Sequence, residues 1–442
     1  MAGLVAKAKS FISRVLKADI VKVFSLTSIS TLVKMCTGLI SVKIVASIIG
    51  PAGVALVGQL NNFATIAMAF SSGGINAGIT KYIAEYREDN SMVAQLLSNA
   101  LRITTICSAI CAVVLIVFHR YISQLVMLSA DYGYVFVIFG ITILLYALNN
   151  MLISIVNGYK EFRKYVYISI ANSIVGVIFT VALVLLWELK GALISAVTYQ
   201  SVMLFITLWM LRGTPWLKWN FFKKKLDKIV SDKYFKYALM AIVNTLTLPI
   251  SQMFLRGYVM AEISPIEAGC WEGMNRISNM YLMVVTSSFG VYYLPRLSEI
   301  SQIDKLRHEI IKAYKVVVPI LLVGFGLIYT LRLFIIHLLF SDEFLPMTHL
   351  FAWQLFGDFV KMCSWLLAFV MLAKAMTKLY VTTEILFTLS YVFIGYLFVN
   401  YNGIIGLTQA YLCNYILYMI TMFICFRNIL LKNNALFRKK IR

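Results

Sequence analysis

The chain has 442 residues, of which 61% are hydrophobic and 13% charged, and its mean hydropathy is +0.83. These values lie far outside the soluble globular range and exclude an ordinary cytosolic enzyme or a disordered chain. The formal net charge of +21 would suit nucleic acid, but where the charges fall argues for a membrane and its headgroups instead.

Residues 1 to 20 put Leu4, Val5, Ala8, Phe11, Ile12, Val15 and Leu16 on one helical face and Lys7, Ser10, Arg14 and Lys17 on the other. This pattern predicts a helix lying in the cytoplasmic interface. The following apolar segment is too long for a cleaved signal peptide, and it holds Lys34 and Lys43. Beyond it come about twelve runs of the roughly 20 apolar residues that a helix needs to cross ~30 Å of hydrocarbon. They fall at 21 to 49, 53 to 75, 93 to 118, 134 to 156, 165 to 187, 191 to 211, 237 to 261, 268 to 293, 315 to 337, 347 to 372, 379 to 399 and 403 to 426. No run shows the alternating polarity of a transmembrane β-strand, so the predicted class is an all-α polytopic membrane protein.

With the N-terminus placed in the cytoplasm, only Arg120, Lys190 and Arg332 of the 40 Lys and Arg fall on the external side. That asymmetry is the positive-inside rule, and it puts both termini in the cytoplasm. The external connections are short, the longest being His119 to Gly133 and Leu338 to Pro346, which leaves no room for an external catalytic domain.

The longest polar interruption, Leu211 to Lys236, carries Arg212, Lys218, Lys223, Lys224, Lys225, Lys228, Lys233 and Lys236 and lies mid-chain. The halves on either side repeat. NGYKEFRKYVYISI from Asn157 aligns with LAKAMTKLYVTTEI from Leu372, pairing Arg163 with Lys378, Tyr165 with Tyr380, Val166 with Val381 and Ile170 with Ile385, all 215 residues apart. The same offset takes Gly58 to Gly273 and Lys81 to Arg296, and an offset shifted by three residues, to 212, takes Gly191 and Tyr199 to Gly403 and Tyr411. Amphipathic pieces also recur, GITKYIAEYRED after the second span and LPRLSEISQIDKLRHE after the eighth. The expected organisation is an interfacial helix (1–20), a six-helix lobe (21–211), a basic cytoplasmic linker (212–236), a second six-helix lobe (237–426) and a basic tail (427–442), as in transporters built from repeats. Pro249 falls inside the seventh span, where it is either a hinge or tolerated packing.

No soluble-enzyme motif survives inspection. Gly53 to Gly58 has phosphate-loop spacing, but Gln59 and Leu60 stand where Lys and Ser or Thr are needed. The histidines (His119, His308, His337, His349) are scattered, and the seven cysteines all sit in or beside apolar runs without a CxxC. No cofactor or metal is expected.

A charge at mid-bilayer costs roughly 2.5 to 3.5 kcal/mol and usually faces a bundle interior or a water-filled cavity. Eight fall within spans: Lys34, Lys43, Arg256, Arg276 and Lys361, against Glu272, Asp358 and Glu384. Lys34 lies mid-span, whereas Lys43, nine residues on, faces the opposite way and can snorkel. Arg256 is one turn from the outer end of its helix, open to snorkelling or to substrate. Glu272 with Arg276, and Asp358 with Lys361, have the spacing of pairs on one helix face. Glu384 has no partner on its own face, which makes it a candidate for proton coupling unless it is simply solvated. Gln59, Asn61, Asn62 and Asn76 cluster about the second span, where they can meet sugar hydroxyls or bond other helices.

STLVKMCTGLISVKIVASIIGPAG from Ser30, GITKYIAEY from Gly78 and LFAWQLFGDFVKM from Leu350 resemble the Wzx-type flippases for undecaprenyl-pyrophosphate-linked oligosaccharides (O-antigen and related substrates). The resemblance runs over essentially the whole chain. It implies the fold of the multidrug, oligosaccharidyl-lipid and polysaccharide exporter superfamily: two six-helix lobes, related by a pseudo-twofold along the membrane normal, that enclose a cavity and rock between inward-open and outward-open states. It further implies a bacterial inner-membrane location, a lipid-linked oligosaccharide as substrate, membrane lipids and polysaccharide polymerase machinery as partners, and no nucleic acid. The excess of cations over anions inside the membrane suits a pyrophosphate, with Lys34, Arg256 and Arg276, then Lys43 and Lys361, to hold it, and Glu272, Asp358 and Glu384 to balance the empty cavity. Two alternatives stay open, a cation-coupled multidrug exporter of the same superfamily and, from another class, a membrane-embedded glycan polymerase or ligase.

Overall fold

The computed structural model describes residues 19–224, 227–374 and 376–430, and among them all regular structure is helical. The interfacial helix expected before residue 20 and the tail beyond 430 lie outside the described residues.

Helix α1 (Asp19–Ser71) is interrupted at Gly50 (φ 64°), with Pro51 next to it. A pair of glycines in the left-handed region, Gly73 and Gly74, separates it from α2 (Asn76–Tyr86). Then follow α3 (Asn90–Val117), capped by the Asp89 carboxylate on the N–H groups of Ser91 and Met92, the short α4 (His119–Met127), α5 (Gly133–Gly158) and α6 (Phe162–Leu211). After the basic stretch come α7 (Lys228–Glu262), α8 (Pro265–Ser288), α9 (Leu294–Glu299), α10 (Ile303–Thr330), the short α11 (Arg332–Leu339), α12 (Phe351–Ala373) and α13 (Thr377–Leu430). The order long, short, long, very long therefore occurs twice, as α3 to α6 and as α10 to α13.

The very long helices double back. Residues eight apart on a straight helix are separated by about 12 Å, yet a Cβ on Gly191 would meet the Leu183 carbonyl oxygen at 1.9 Å, and one on Gly406 would meet the Phe398 oxygen at 2.1 Å. The reversals occur at Glu188 (φ 47°, ψ −123°) and Gly403 (φ 58°, ψ −143°), and these two residues are 215 apart. The extra shift of three residues expected from sequence is thus corrected: the counterpart of Gly191 is Gly406, and the offset of 215 holds through the turn.

Seven helical segments are long and apolar enough to cross a membrane. Three of them are interrupted by a residue at positive φ, so each counts as two. The less apolar α7 and α8 bring the described crossings to twelve. The chain is a multi-pass membrane protein. Its contacts divide the described residues into two compact units, one made of the chain up to Ile48 with Phe63–Leu246, the other of Ile49–Asn62 with Thr247 onward.

The first unit is built round Ile79, Ile83, Leu96, Leu97, Ile155 and Val156, all buried. The basic stretch folds onto this core. Trp216 is buried, stacks on Tyr159 with centroids 5.5 Å apart and donates to Glu161 at 3.3 Å. Burial there, with Glu161 alongside, pushes the Tyr159 hydroxyl up to about 12. Asn99 closes the contact: its amide donates to the Asp227 carbonyl at 2.9 Å, and its amide oxygen accepts from the Asp227 N–H at 3.1 Å. Tyr234 adds a bond to the Leu96 carbonyl at 3.2 Å.

Two outcomes follow. Glu188 occupies a backbone region that suits glycine, the residue found at the equivalent turn, so Glu188→Gly is expected to raise stability by about 1 kcal/mol, read as a higher unfolding midpoint of the detergent-solubilised protein. Asn99→Ala removes both bonds to Asp227 and is expected to speed tryptic cleavage at Lys223 or Lys224 by roughly tenfold.

Candidate functional site

Most of the membrane charges gather in the second unit, in two adjoining groups. The first centres on Arg256 of α7, whose side chain is only 1% exposed. Its guanidinium donates to Glu272 Oε2 of α8 at 2.5 Å and to Gln59 Oε1 at 3.2 Å, and it lies 5.5 Å from the Trp271 ring. The other carboxylate oxygen of Glu272 accepts from Arg276 Nε at 3.1 Å, and the Gln59 amide donates to the Met253 carbonyl at 2.9 Å. One carboxylate therefore sits between two guanidiniums, leaving a net positive charge. Gly58 makes room for it: a Cβ there would lie 2.6 Å from the Glu272 carboxyl carbon. The Glu272 and Arg276 pair is the one expected from spacing. Arg256, by contrast, is turned inward, away from any snorkelling position.

The second group surrounds a cavity of about 350 Å³ walled by α7, α8, α12 and both arms of α13. Asp358 is fully buried in this wall and accepts from Ser278 at 2.6 Å, from Tyr411 at 2.8 Å, from Gln354 at 3.4 Å and from the Tyr281 hydroxyl. Lys361 makes no ion pair with it. Because α8 and α13 take up the Asp358 carboxylate, the Lys361 ammonium donates instead to the Tyr411 hydroxyl at 3.1 Å and lies 5.2 to 5.6 Å from the rings of Trp365, Tyr411 and Tyr415. Tyr411 joins the two charges. Glu384 lines the same cavity.

The remaining expected residues are not drawn into these groups. Lys34 is exposed on α1, and Lys43 is half-buried. Asn61 is exposed, while Asn62 donates to Gln252 of the cavity wall at 3.3 Å. Asn76 lies apart from the other three because Gly73 and Gly74 end α1 before it. It lines a cavity of about 340 Å³ in the first unit, with Thr65, Tyr146, Asn150 and Thr245. Sequence reasoning overlooked the tyrosines. Tyr411, Tyr415 and Tyr418 recur at helical spacing, a pattern that was there to be read as one face. Among the described residues no group of three His, Cys, Asp or Glu could hold a metal ion.

The profile of a family described as polysaccharide biosynthesis protein matches residues 20–301. The chain is 30% identical over 393 residues to the lipid III flippase of Escherichia coli (strain K12) and equally to that of Shigella flexneri, covering 89% of this chain and 94% of each relative. Among solved structures, an inward-facing multidrug resistance MATE family transporter of the MOP superfamily aligns with a TM-score of 0.70 at 14% identity, over 92% of this chain and 96% of that one. The lipid II flippase MurJ, in an inward closed conformation, aligns with a TM-score of 0.66 at 14% identity, over 91% and 89%. These two likenesses concern the fold, which is the two-lobe, twelve-helix architecture. With a family profile across most of its length and relatives matched nearly end to end, the chain belongs to the polysaccharide biosynthesis protein family.

Proposed function

We propose that the chain is a flippase that moves an undecaprenyl-pyrophosphate-linked oligosaccharide from the cytoplasmic to the periplasmic leaflet of the bacterial inner membrane, for surface-polysaccharide assembly. The observation that carries this reading is the near end-to-end match, at 30% identity, to two lipid III flippases. The charge balance supports it too. Five cations against three anions within the spans suit an anionic headgroup and disfavour a lipophilic cation.

The residues divide by accessibility. Lys34, exposed, and Arg276, whose side chain is 18% exposed, are the cations best able to reach phosphate oxygens, Arg with two donors at once. Arg256 is a positioning residue that holds Glu272 and through it Arg276. Asp358 accepts from four donors and is committed to the scaffold. That leaves Glu384, which lines the cavity, as the acid whose protonation could bias an alternating-access equilibrium. Neutral groups lining the first unit's cavity, Asn76 among them, would meet sugar hydroxyls.

Complementation of a flippase-deficient strain, with membrane protein levels measured in parallel, tests these roles. Lys34→Ala is expected to abolish polysaccharide export at an unchanged protein level, Lys34→Arg to retain part of it, and Lys43→Ala to be milder. Arg256→Ala strands a buried carboxylate between fewer partners, a loss of about 3 to 5 kcal/mol, and is expected to lower the amount of folded protein. Export that survives loss of both Lys34 and Arg276 would rule out the phosphate-holding role while leaving the family intact. Cysteine labelling is expected to find the Arg212 to Lys236 stretch on the cytoplasmic side.

A further inference from the structure

The cavity of the second unit contains an unmet demand. Two buried amide atoms in its wall have no hydrogen-bond partner among the described residues, Nδ2 of Asn275 on α8 and Oδ1 of Asn414 on α13. Asn414 is only 5% exposed. Native proteins leave few such atoms unpaired at this depth, because each forfeits its bonds to water and gains nothing in return. Three other polar groups nearby are engaged: Asp358 with its four donors, Lys361 with Tyr411 and Gln252 with Asn62. Much of the rest of the wall is aromatic, formed by Trp365, Tyr391, Tyr411, Tyr415 and Tyr418.

An unpaired donor and an unpaired acceptor, which a turn of each amide brings to the cavity among its aromatic rings, suit a ligand that both accepts and donates and also has an apolar face. A pyranose ring meets that description. Its hydroxyls, or an acetamido substituent, bond in both senses, while its C–H face lies against an aromatic ring. A monovalent cation fits less well, because the Lys361 ammonium stands in the same wall as the Glu384 carboxylate and offsets its charge, and the Asp358 oxygens are already taken. At about 350 Å³ the space lies at the small end of ligand pockets (roughly 300 to 1,000 Å³), which suits one sugar unit rather than a whole oligosaccharide.

We propose that this cavity is a subsite for a single pyranose unit of the transported glycan, with Asn275 donating to it, Asn414 accepting from it and the partly exposed Trp365 beside it. The inference rests on the reading of the chain as a glycan-lipid flippase and adds to it where, within the second unit, a sugar would be gripped.

Binding is read on the full-length, detergent-purified protein by thermal unfolding with glucose, galactose, N-acetylglucosamine or glucuronic acid, each against the same concentration of sorbitol. The expected result is that at least one sugar raises the midpoint of the wild type beyond sorbitol, and that Asn414→Leu and Asn275→Leu each lose the shift. Because leucine nearly matches asparagine in size and removes the unmet atom, each variant without sugar is expected to unfold about 2 °C higher than the wild type. A merely structural asparagine would give the opposite sign. Export by each variant is expected to fall at least about tenfold. The subsite is overturned if no sugar shifts the wild type beyond sorbitol, if the shift survives in both variants, or if sodium chloride alone produces it. Should the wild type fail to restore export in a flippase-deficient host while the sugar shift is present and lost in the variants, the transport reading falls and the subsite stands.

Discussion

The fold of the second unit hangs on a charge that has nowhere else to go. Arg256 is sealed inside the helix bundle, and an unpaired guanidinium in hydrocarbon surroundings would be prohibitive. Its neutralisation recruits Glu272 from α8, Glu272 in turn holds Arg276, and Gln59 adds a further hydrogen bond to the guanidinium from the second arm of α1. Three chain segments are thereby fixed in register by one set of atoms. The requirement reaches the backbone as well, since only a glycine at position 58 leaves space for the carboxylate. It also explains why α8, which carries Glu272 and Arg276, is less apolar than the other membrane-crossing segments.

The two units share an order of elements but not a chemistry. The cavity of the first is lined by uncharged groups, Thr65, Asn76, Tyr146 and Asn150. That of the second carries Lys361, Glu384 and a belt of tyrosines. A duplicated scaffold has kept its helix lengths and turn positions, which packing and bilayer thickness constrain, while its inward-facing side chains diverged.

Much of this was legible in the sequence, for physical reasons. Hydropathy and Lys/Arg asymmetry report directly on what the bilayer tolerates, so the class and the succession of spans could be read, and the offset of 215 recurs in the backbone turns at Glu188 and Gly403. The first of these turns was hidden because a glutamate stands where glycine would have announced it. Partners across helices were hidden for a different reason. Spacing rules reach only three or four residues along one helix, so they found Glu272 with Arg276 but not Glu272 with Arg256, and they paired Asp358 with Lys361 when Tyr411 stands between. The docking of the basic stretch was equally invisible, since Trp216 in a Lys-rich segment reads as an ordinary interfacial aromatic until its burial against Tyr159 is seen.

The placement of Ile49–Asn62 with the second unit has a consequence for how the protein is made. Gln59 and its partner Arg256 are separated by 197 residues, and at translation speeds of about 5 to 20 residues per second the ribosome needs roughly 10 to 40 s to supply the second after the first. Throughout that interval a helix arm that has already left the ribosome must wait in or near the bilayer with a polar side chain and an open glycine face unmatched. The amino-terminal half therefore cannot reach its final packing while the carboxy-terminal half is still being synthesised. A chain truncated before α7 should be an orphan for the quality-control proteases of its membrane, however complete its first spans.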